Sequence, residues 1–561
     1  MDRNKKRDEP TLSKKGLNRR DFLKMTGGTL VGSSLLLGGS LPGKVFAQKK
    51  TEEAIPDIDI LYIEQGGTEA LRLMTDAWGK LGLKVNPTVQ PAHIVVPRAY
   101  DREYEHVVYC FWSSAPERLD AAFWLSEFYH SRNAEKGKRN WGQYINPKAD
   151  QLIDEQESEL DTEKRRDLIW KIQAEVAKDH PIWYVIHDQI FTVYNSKNWK
   201  GVVNMLGCPP NRADAPWTLI NMEPKGQSKI FRLGFTIDLT GQNPFTQANA
   251  SSQGLIRLVY DRFVQIAPDL KPVPWAAESW NWVNKSTLDL KVRKGMKFHD
   301  GKPVTPEDAA FSFEYLLKHQ MPRYGTVTSN LSAVKLLDDG SVRLSLKKPS
   351  ASFVGSALTY AHIIPKHIWE KVEKPIDFED PQLIGSGPFK ITSWKKGERY
   401  FFESHKDHFS KPKMDGFYLI LIPSLESQIG LLESGEIDMI ENKLLTYSLC
   451  KDLTKKPNLS FVSTDNPAFF EMRPKCTTRP FNDVEFRRAL HHAIPKEQIV
   501  KIAYEGQGVV GHNTPITPKN KYWHNPKIPF VDFNLEKSKA ILKKAGYSWN
   551  ERGRLCFPKK A

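Results

Sequence analysis

"KFHDGKPVTPEDAAFSF" (Lys297–Phe313) packs a tight turn and the start of a helix into one short stretch. Asp300-Gly301 is a hairpin-type turn pair, since glycine accepts positive φ without steric cost. Thr305 suits an N-cap, Pro306 the first helical position, and Asp308 the carboxylate position of a capping box. Just upstream, Leu288, Leu290 and Val292 alternate as in a half-buried strand. Strand, turn and capped helix in this order read as an α/β chain. The stretch has the character of an opening segment, yet it lies past the midpoint of 561 residues.

Working outward, the same alternation of periods recurs along the chain. Ile58, Ile60 and Tyr62 alternate, and Leu71, Met74 and Trp78 then share one helical face before Gly82. "HVVYCFW" (His106–Trp112) is apolar enough for the middle of a sheet. Residues 162–178 predict a helix stopped by Pro181, with a strand at "IWYVIH" (Ile182–His187). "MEPKGQSK" (Met222–Lys229) has linker character, and "IFRLGF" (Ile230–Phe235) begins a fresh strand. Ser424 caps a helix closed by Gly435, and Asn534–Ala545 predicts a helix stopped by Gly546. "RLCFP" (Arg554–Pro558) reads as a strand with no later partner.

The first 47 residues stand apart. Arg19 and Arg20 precede an uncharged, Gly/Ser/Thr-rich segment, Met25–Gly43, and small residues run up to a cleavage position at Ala47. This pattern is that of a twin-arginine export signal, so a soluble periplasmic product and a twin-arginine translocase partner are expected. No cysteine lies near the cleavage position to carry a lipid. Removing residues 1–47 leaves 71 Lys/Arg against 62 Asp/Glu, so the net charge falls from +15 to +9. That excess is spread along the chain without a basic block, which argues against nucleic acid. The five cysteines, Cys110, Cys208, Cys450, Cys476 and Cys556, show no C-x-x-C spacing, so zinc and redox chemistry lack support. His405 with His408, and His491 with His492, have no supporting ligand spacing and read as solvated histidines. The chain past residue 47 carries no G-x-S-x-G elbow, and "GSGPF" (Gly385–Phe389) lacks dinucleotide-binding spacing. No enzyme activity, cofactor or metal is expected.

Several segments, taken together, resemble the extracellular solute-binding proteins of family 5, the dipeptide/oligopeptide/nickel type serving ABC importers. "VYDRF" with "PWAAESW", the opening stretch, "IGSGPFKITSW", "LLESGEIDM", "RPFNDVEFRRAL" and "NLEKSKAILKKAGY" follow in the family's order from Val259 to Tyr547. "LRLMTDAWGKLGLKV", "NPKADQLIDEQ" and "RRDLIWKIQAEVAKDHPIWYV" look like what normally follows "KAGY", but stand at Leu71–Val185. The resemblance therefore implies a circular permutation, with the strands Leu555–Phe557 and Ile58–Tyr62 expected to pair across the new break. Proximity of the old termini at a domain surface makes this physically possible. A fusion of two fragments is the competing reading.

The resemblance implies an α/β, two-lobed periplasmic-binding-protein fold (type II, venus-flytrap) with an extra small α/β domain. The boundaries are 1–47 signal; 48–185 second lobe; 186–275 first lobe, including the linker 222–229; 276–383 extra domain; 384–458 first lobe; and 459–561 second lobe. A small-molecule or peptide ligand, ABC permease subunits as partners and a monomeric state are implied. Peptide-binding members use a Trp followed three residues later by Asp to hold the peptide amine. Here Trp112 stands in place but Ala115 replaces the acid, so loss of amine recognition is expected, with Glu117 or Asp120 as substitutes. Ser113 and Ser114 are candidate hydrogen-bonding groups for a neutral, oxygen-rich ligand. On the facing lobe Gln242 and Phe245 are candidate contacts. Trp112, Gln242 and Phe245 each read equally well as structural residues. A twin-arginine-exported periplasmic redox enzyme, and a chaperone or sensor on the same fold, remain the alternatives.

Overall fold

The computed structural model describes residues 53–559, apart from 116–117, 214–215, 237, 240, 248–249, 322–323, 381 and 442–443. The export-signal positions Arg19, Arg20 and Ala47, and Glu117, lie outside the described residues.

Two mixed sheets organise the chain. The second-lobe sheet runs, in spatial order, Val85–Gln90, Ile58–Ile63, Val107–Phe111, Phe470–Pro474, Trp183–His187 and Val509–Val510. Its first three strands are parallel, and Phe470–Pro474 lies antiparallel between Val107–Phe111 and Trp183–His187. The central strands are buried along nearly their whole length, which is why "HVVYCFW" and "IWYVIH" are continuously apolar. Fully buried Trp78 and Trp183 meet edge to face at 5.7 Å in this core.

The first-lobe sheet has seven strands in the order Phe389–Lys395, Arg399–Ser404, Gly416–Leu421, Ile230–Phe235, Met439–Ile440, Gln189–Asn195 and Leu459–Asp465. A separate four-stranded antiparallel sheet, Ala277–Asn284, Thr287–Val292, Val342–Leu346 and Leu331–Leu336, carries the helix Pro306–His319. Leu459–Asp465 pairs along its full length with Gln189–Asn195. The expected boundary at residue 459 therefore moves: this strand belongs to the first lobe. The linker stretch is also partly ordered, since Glu223–Pro224 pairs with Trp199–Lys200 and Met222 is buried.

The opening stretch behaves as its residues dictate. The Asp308 N–H donates to Thr305 Oγ1 (3.3 Å) and the Thr305 N–H donates to Asp308 Oδ2 (2.9 Å), closing the capping box. Gly301 adopts φ 85° in the turn before it. Nδ1 of His299 accepts the Gly385 N–H (3.3 Å), so its proton sits on Nε2 and is donated to the Gly387 carbonyl (3.1 Å). A Cβ on Gly385 or Gly387 would lie 2.0 Å from the Val259 carbonyl oxygen or 2.3 Å from that of Leu258. Three of the family-like motifs thus meet where the extra domain joins the first lobe, and only glycine permits the approach.

The two ends of the described chain also meet. The Ile55 N–H donates to the Leu555 carbonyl (2.8 Å), the Phe557 N–H donates to the Glu53 carbonyl (2.9 Å), and Ala54 faces Cys556 in an antiparallel bridge. The expected partner Ile58–Tyr62 is not the one used. That strand is already paired on both sides by Val85–Gln90 and Val107–Phe111, so the residues just before it receive the C-terminal strand. Ser548–Trp549 pairs with the other edge of Leu555–Cys556.

The histidine pairs are not solvated. His491 is fully buried, with Nδ1 3.0 Å from Nδ1 of His180, and His492 is buried against Asp532. His408 is buried with Nε2 3.1 Å from Asp261, while His405 is half-buried beside Gly387. Each ring has at least one nitrogen engaged inside the fold, while Nε2 of His491 is buried without a hydrogen-bond partner among the described residues. Cys110, Cys450, Cys476 and Cys556 are thiols outside any disulfide.

Burial lowers His180 to about 3 and His491 well below its ordinary value. Both stay neutral when folded, while an unfolded chain takes up protons below about pH 6.5. Their contribution to stability is complete above that pH and is lost as the pH falls toward 3. Denaturant unfolding should show lower stability at pH 5 than at pH 7, and His180→Gln should flatten that dependence by about 2 kcal/mol. An unchanged pH slope in the variant would contradict a neutral buried pair.

Candidate ligand-binding cleft

The chain crosses between the lobes twice among the described residues, and both crossings are nearly continuous strands. Trp183–His187 leaves the second-lobe sheet and enters the first as Gln189–Asn195, with Asp188 alone between. Leu459–Asp465 returns as Phe470–Pro474 through residues 466–469. Asn466 ties the crossings together: its Nδ2 donates to Asp188 Oδ1 (2.7 Å), its backbone N–H donates to the Asp188 carbonyl (3.1 Å), and Gln189 Nε2 donates to Asp465 Oδ1 (2.9 Å). Gly207 backs this hinge, accepting the Ser114 hydroxyl on its carbonyl (2.6 Å). Its φ is 75°, and a Cβ there would meet Pro467 at 2.9 Å.

Between the second lobe and the extra domain lies a cleft of about 950 Å³, with Gln253 of the first lobe also in its lining. That volume is at the upper end for a small-molecule site. The second-lobe wall is charged. It begins at the carboxyl end of the central strand Val107–Phe111, where ligand crevices of α/β sheets form. Ser113, Arg118, Asp120 and Phe123 lie on the loop and first helical turn that follow, and Arg132, Arg139 and Glu157 lie further along. The opposite wall is rich in hydroxyls: Thr326, Ser329, Ser350, Ser352, Ser356 and Tyr360.

Asp120 caps the helix Ala121–Tyr129 by accepting the Ala122 N–H (2.8 Å), and it holds Arg165 through two hydrogen bonds (2.8 and 2.6 Å). Burial alone would raise its pKa, but the Arg165 charge and hydrogen bonds outweigh burial and hold it below the usual carboxylate range. Its charge is therefore already compensated. Arg139 pairs with Glu127 (2.8 Å), while Glu157 pairs with Arg132 and, across the cleft, with Lys348 (3.1 Å). The Ala351 N–H also donates to the Glu157 carbonyl (2.7 Å), so the far rim is bridged by both side chain and backbone.

Of the sequence candidates, Ser113 and Asp120 line the cleft and the others that are described do not. Trp112 turns into the lobe: Nε1 donates to Glu471 Oε1 (2.8 Å), and its ring packs against Trp124, Phe128 and Trp141. Glu471 and Arg473 form a buried pair (2.5 Å), with the guanidinium 3.8 Å from the Phe128 ring centroid. Ser114 is buried with its hydroxyl committed to Gly207. Ala115 is buried. The Gln242 N–H donates to Glu379 (2.5 Å), and Phe245 is buried against Trp369 and Tyr324. Their loop packs beneath the extra domain. The hydroxyl wall was missed; the Ser/Pro composition of "KKPSASF" (Lys347–Phe353) marks it only as a loop.

The model of the bacterial extracellular solute-binding proteins, family 5 (middle) matches residues 271–560, just over half of the chain. This chain belongs to that family. Among family 5 relatives, the oligopeptide-binding protein AppA of Bacillus subtilis is 31% identical over 270 residues, covering 46% of this chain and 48% of the relative. The dipeptide-binding protein of Escherichia coli is 27% identical over 338 residues, covering 54% and 61%. The chain thus spans about half the length of the curated relatives it matches. The solved structure of Bacillus subtilis AppA in complex with a nonapeptide is similar at 26% identity and a TM-score of 0.46, covering 58% of this chain and 65% of that one.

Two expectations follow from the wall charges. Asp120→Asn leaves Arg165 buried without its carboxylate and should destabilise the chain by roughly 3 kcal/mol in denaturant unfolding. Lys348→Ala removes a pair whose lysine is mostly exposed, so the loss should be only about 0.5 kcal/mol. It should nevertheless widen the solution distribution of lobe separations in small-angle scattering; an unchanged profile would show that the backbone bridge at Ala351 suffices.

Proposed function

We propose that this chain is an extracytoplasmic solute-binding protein that takes a small ligand into the interlobe cleft and delivers it, by closure, to the permease subunits of an ABC importer. The observation that carries this reading is a large polar cleft in a chain whose two sheets are joined by two adjacent crossing strands. A ligand touching both walls stabilises the closed form by its differential contacts, which is the requirement for a hinge to report occupancy. The Ser126 hydroxyl donates to Glu157 Oε1 (2.9 Å) in this cleft, but Arg132 and Lys348 already hold that carboxylate in ion pairs, which makes it a weak base. The redox-enzyme and chaperone or sensor readings have no specific observation in their favour.

Export through the twin-arginine translocase, periplasmic residence and a monomeric state belong to the same proposal, resting on Arg19, Arg20 and the segment ending at Ala47. So does circular permutation. It is supported by the motif order and by segments 53–187 and 470–559 building one sheet while 189–465 builds the other. A colinear match limited to about half of each relative also fits.

Thermal unfolding of the chain from residue 48, against peptides, saccharides, opines and nickel chelates, tests the binding reading. A ligand at 100-fold its dissociation constant should add about 2.7 kcal/mol. No shift with any compound, and nothing released on extraction of the purified protein, would remove the reading. A version re-permuted to begin near residue 229, with the native ends joined through residues 53–557, should melt in one transition at a similar temperature if the chain is a permuted single unit.

A further inference from the structure

We propose that His187 is an acid-sensitive bolt across the junction of the two sheets: a proton taken up by its imidazole loosens the two crossing strands from one another. On the solute-binding reading this makes the coupling between the lobes depend on pH, although the junction itself needs no ligand to respond.

The geometry fixes which nitrogen carries the hydrogen. His187 is the last residue of the strand Trp183–His187 and is buried, 1% exposed. Its Nδ1 lies 3.2 Å from the Pro467 carbonyl oxygen and 3.0 Å from that of Ala468, both on the returning crossing. Carbonyl oxygens only accept, so Nδ1 carries the hydrogen and donates it. Nε2 then holds a lone pair, and it is buried without a hydrogen-bond partner among the described residues. The Phe469 ring meets the imidazole edge to face at 5.7 Å. One neutral ring thus fastens the outgoing crossing to the returning one, a residue before Asp188.

A second proton is unwelcome there. It would sit on Nε2, where no acceptor waits, and a buried unpaired charge is costly. The titratable groups acting on the ring are His512 and His524, whose own rings lie 5.4 Å apart. Both repel an imidazolium when they are charged. Behind them the buried Lys496 ammonium donates to the Gly511 carbonyl (2.8 Å). The neighbouring carboxylate, Asp188, accepts instead from Asn466 Nδ2 (2.7 Å). Burial first, then the two histidines, lower His187 to about 4, against the pull of the Ala468 and Pro467 carbonyls.

A solvated imidazole titrates near about 6.5. A state in which the crossings part and water reaches the ring therefore takes up a proton that the joined state refuses. With these two values, the ratio of parted to joined junctions should rise about twentyfold between pH 7 and pH 5. Carboxylates titrate near about 4 and contribute little in that window.

Hydrogen exchange of the chain from residue 48, read by mass spectrometry from pH 7 to pH 5 and corrected for the intrinsic pH dependence of exchange, tests this. Protection of peptides covering 184–190 and 464–470 should fall about twentyfold, while Ile230–Phe235 and Val107–Phe111 change by less than about threefold. His187→Asn keeps an amide N–H near the place of Nδ1 but cannot titrate, so its junction peptides should stay within about threefold across the same range. A parent junction that keeps its protection, or a variant junction that loses it as the parent does, would overturn the proposal. If the variant melts more than about five degrees below the parent, the parent alone decides. Loss of junction protection ahead of Ile230–Phe235 then supports the bolt, and loss together with that strand overturns it. No ligand enters the measurement, so either result leaves the solute-binding reading as it stood.

Discussion

Two strands that pass from one sheet to the other within a few residues are the constraint on which this architecture depends. Because Gln189 pairs with Asp465 at the edge of the first lobe, and Phe470 pairs with Ile186 at the edge of the second, the crossings are held in register on both sides. Sliding one sheet past the other at residues 188 and 466–469 would break a ladder. The Asp188–Asn466 hydrogen bonds satisfy the backbone at the bend, where regular pairing is interrupted.

Local chemistry was the most legible part of the sequence. The capping box at Thr305 and Asp308, the Ser424 cap and the positive-φ Gly435 are decided by neighbours a few residues away, so their motifs carry complete information. The buried central strands announced themselves by continuous apolar runs. Long-range partnerships were less legible. Leu459–Asp465 alternates like any strand, and nothing within it says which of two sheets it will join; the answer lies in Gln189–Asn195, some 270 residues earlier. The pairing of the chain ends was read in kind but displaced by several residues, because Ile58–Ile63 has both edges occupied.

The site divides along the same line. Ser113 and Asp120 follow the end of a central strand, a position that topology alone marks as cleft-facing. Trp112 immediately precedes Ser113 but turns into the lobe, where its Nε1 donates to Glu471 of the buried Glu471–Arg473 pair. The commitment of Asp120 to Arg165 was invisible, since these residues share no helix or strand. The hydroxyl wall was harder still: it is assembled from a helix end and a loop of the extra domain, and serine-rich loops are common on any surface.

The strand Val107–Phe111 waits for a partner that arrives very late: Trp112 and Glu471, which meet at its end, are 359 residues apart. The first lobe, in contrast, is one unbroken stretch from Gln189 to Asp465. On a ribosome the inner lobe is complete while the outer one still lacks its central antiparallel strand. Three early parallel strands must therefore remain unsealed, with an apolar edge at Val107–Phe111, until the last quarter of the chain emerges. Loop closure over such a span is slow, and exposed strand edges are aggregation-prone. Biogenesis of this molecule is thus a problem of keeping one lobe open around another that has already finished, and it places the demand for chaperone protection at the beginning of the chain.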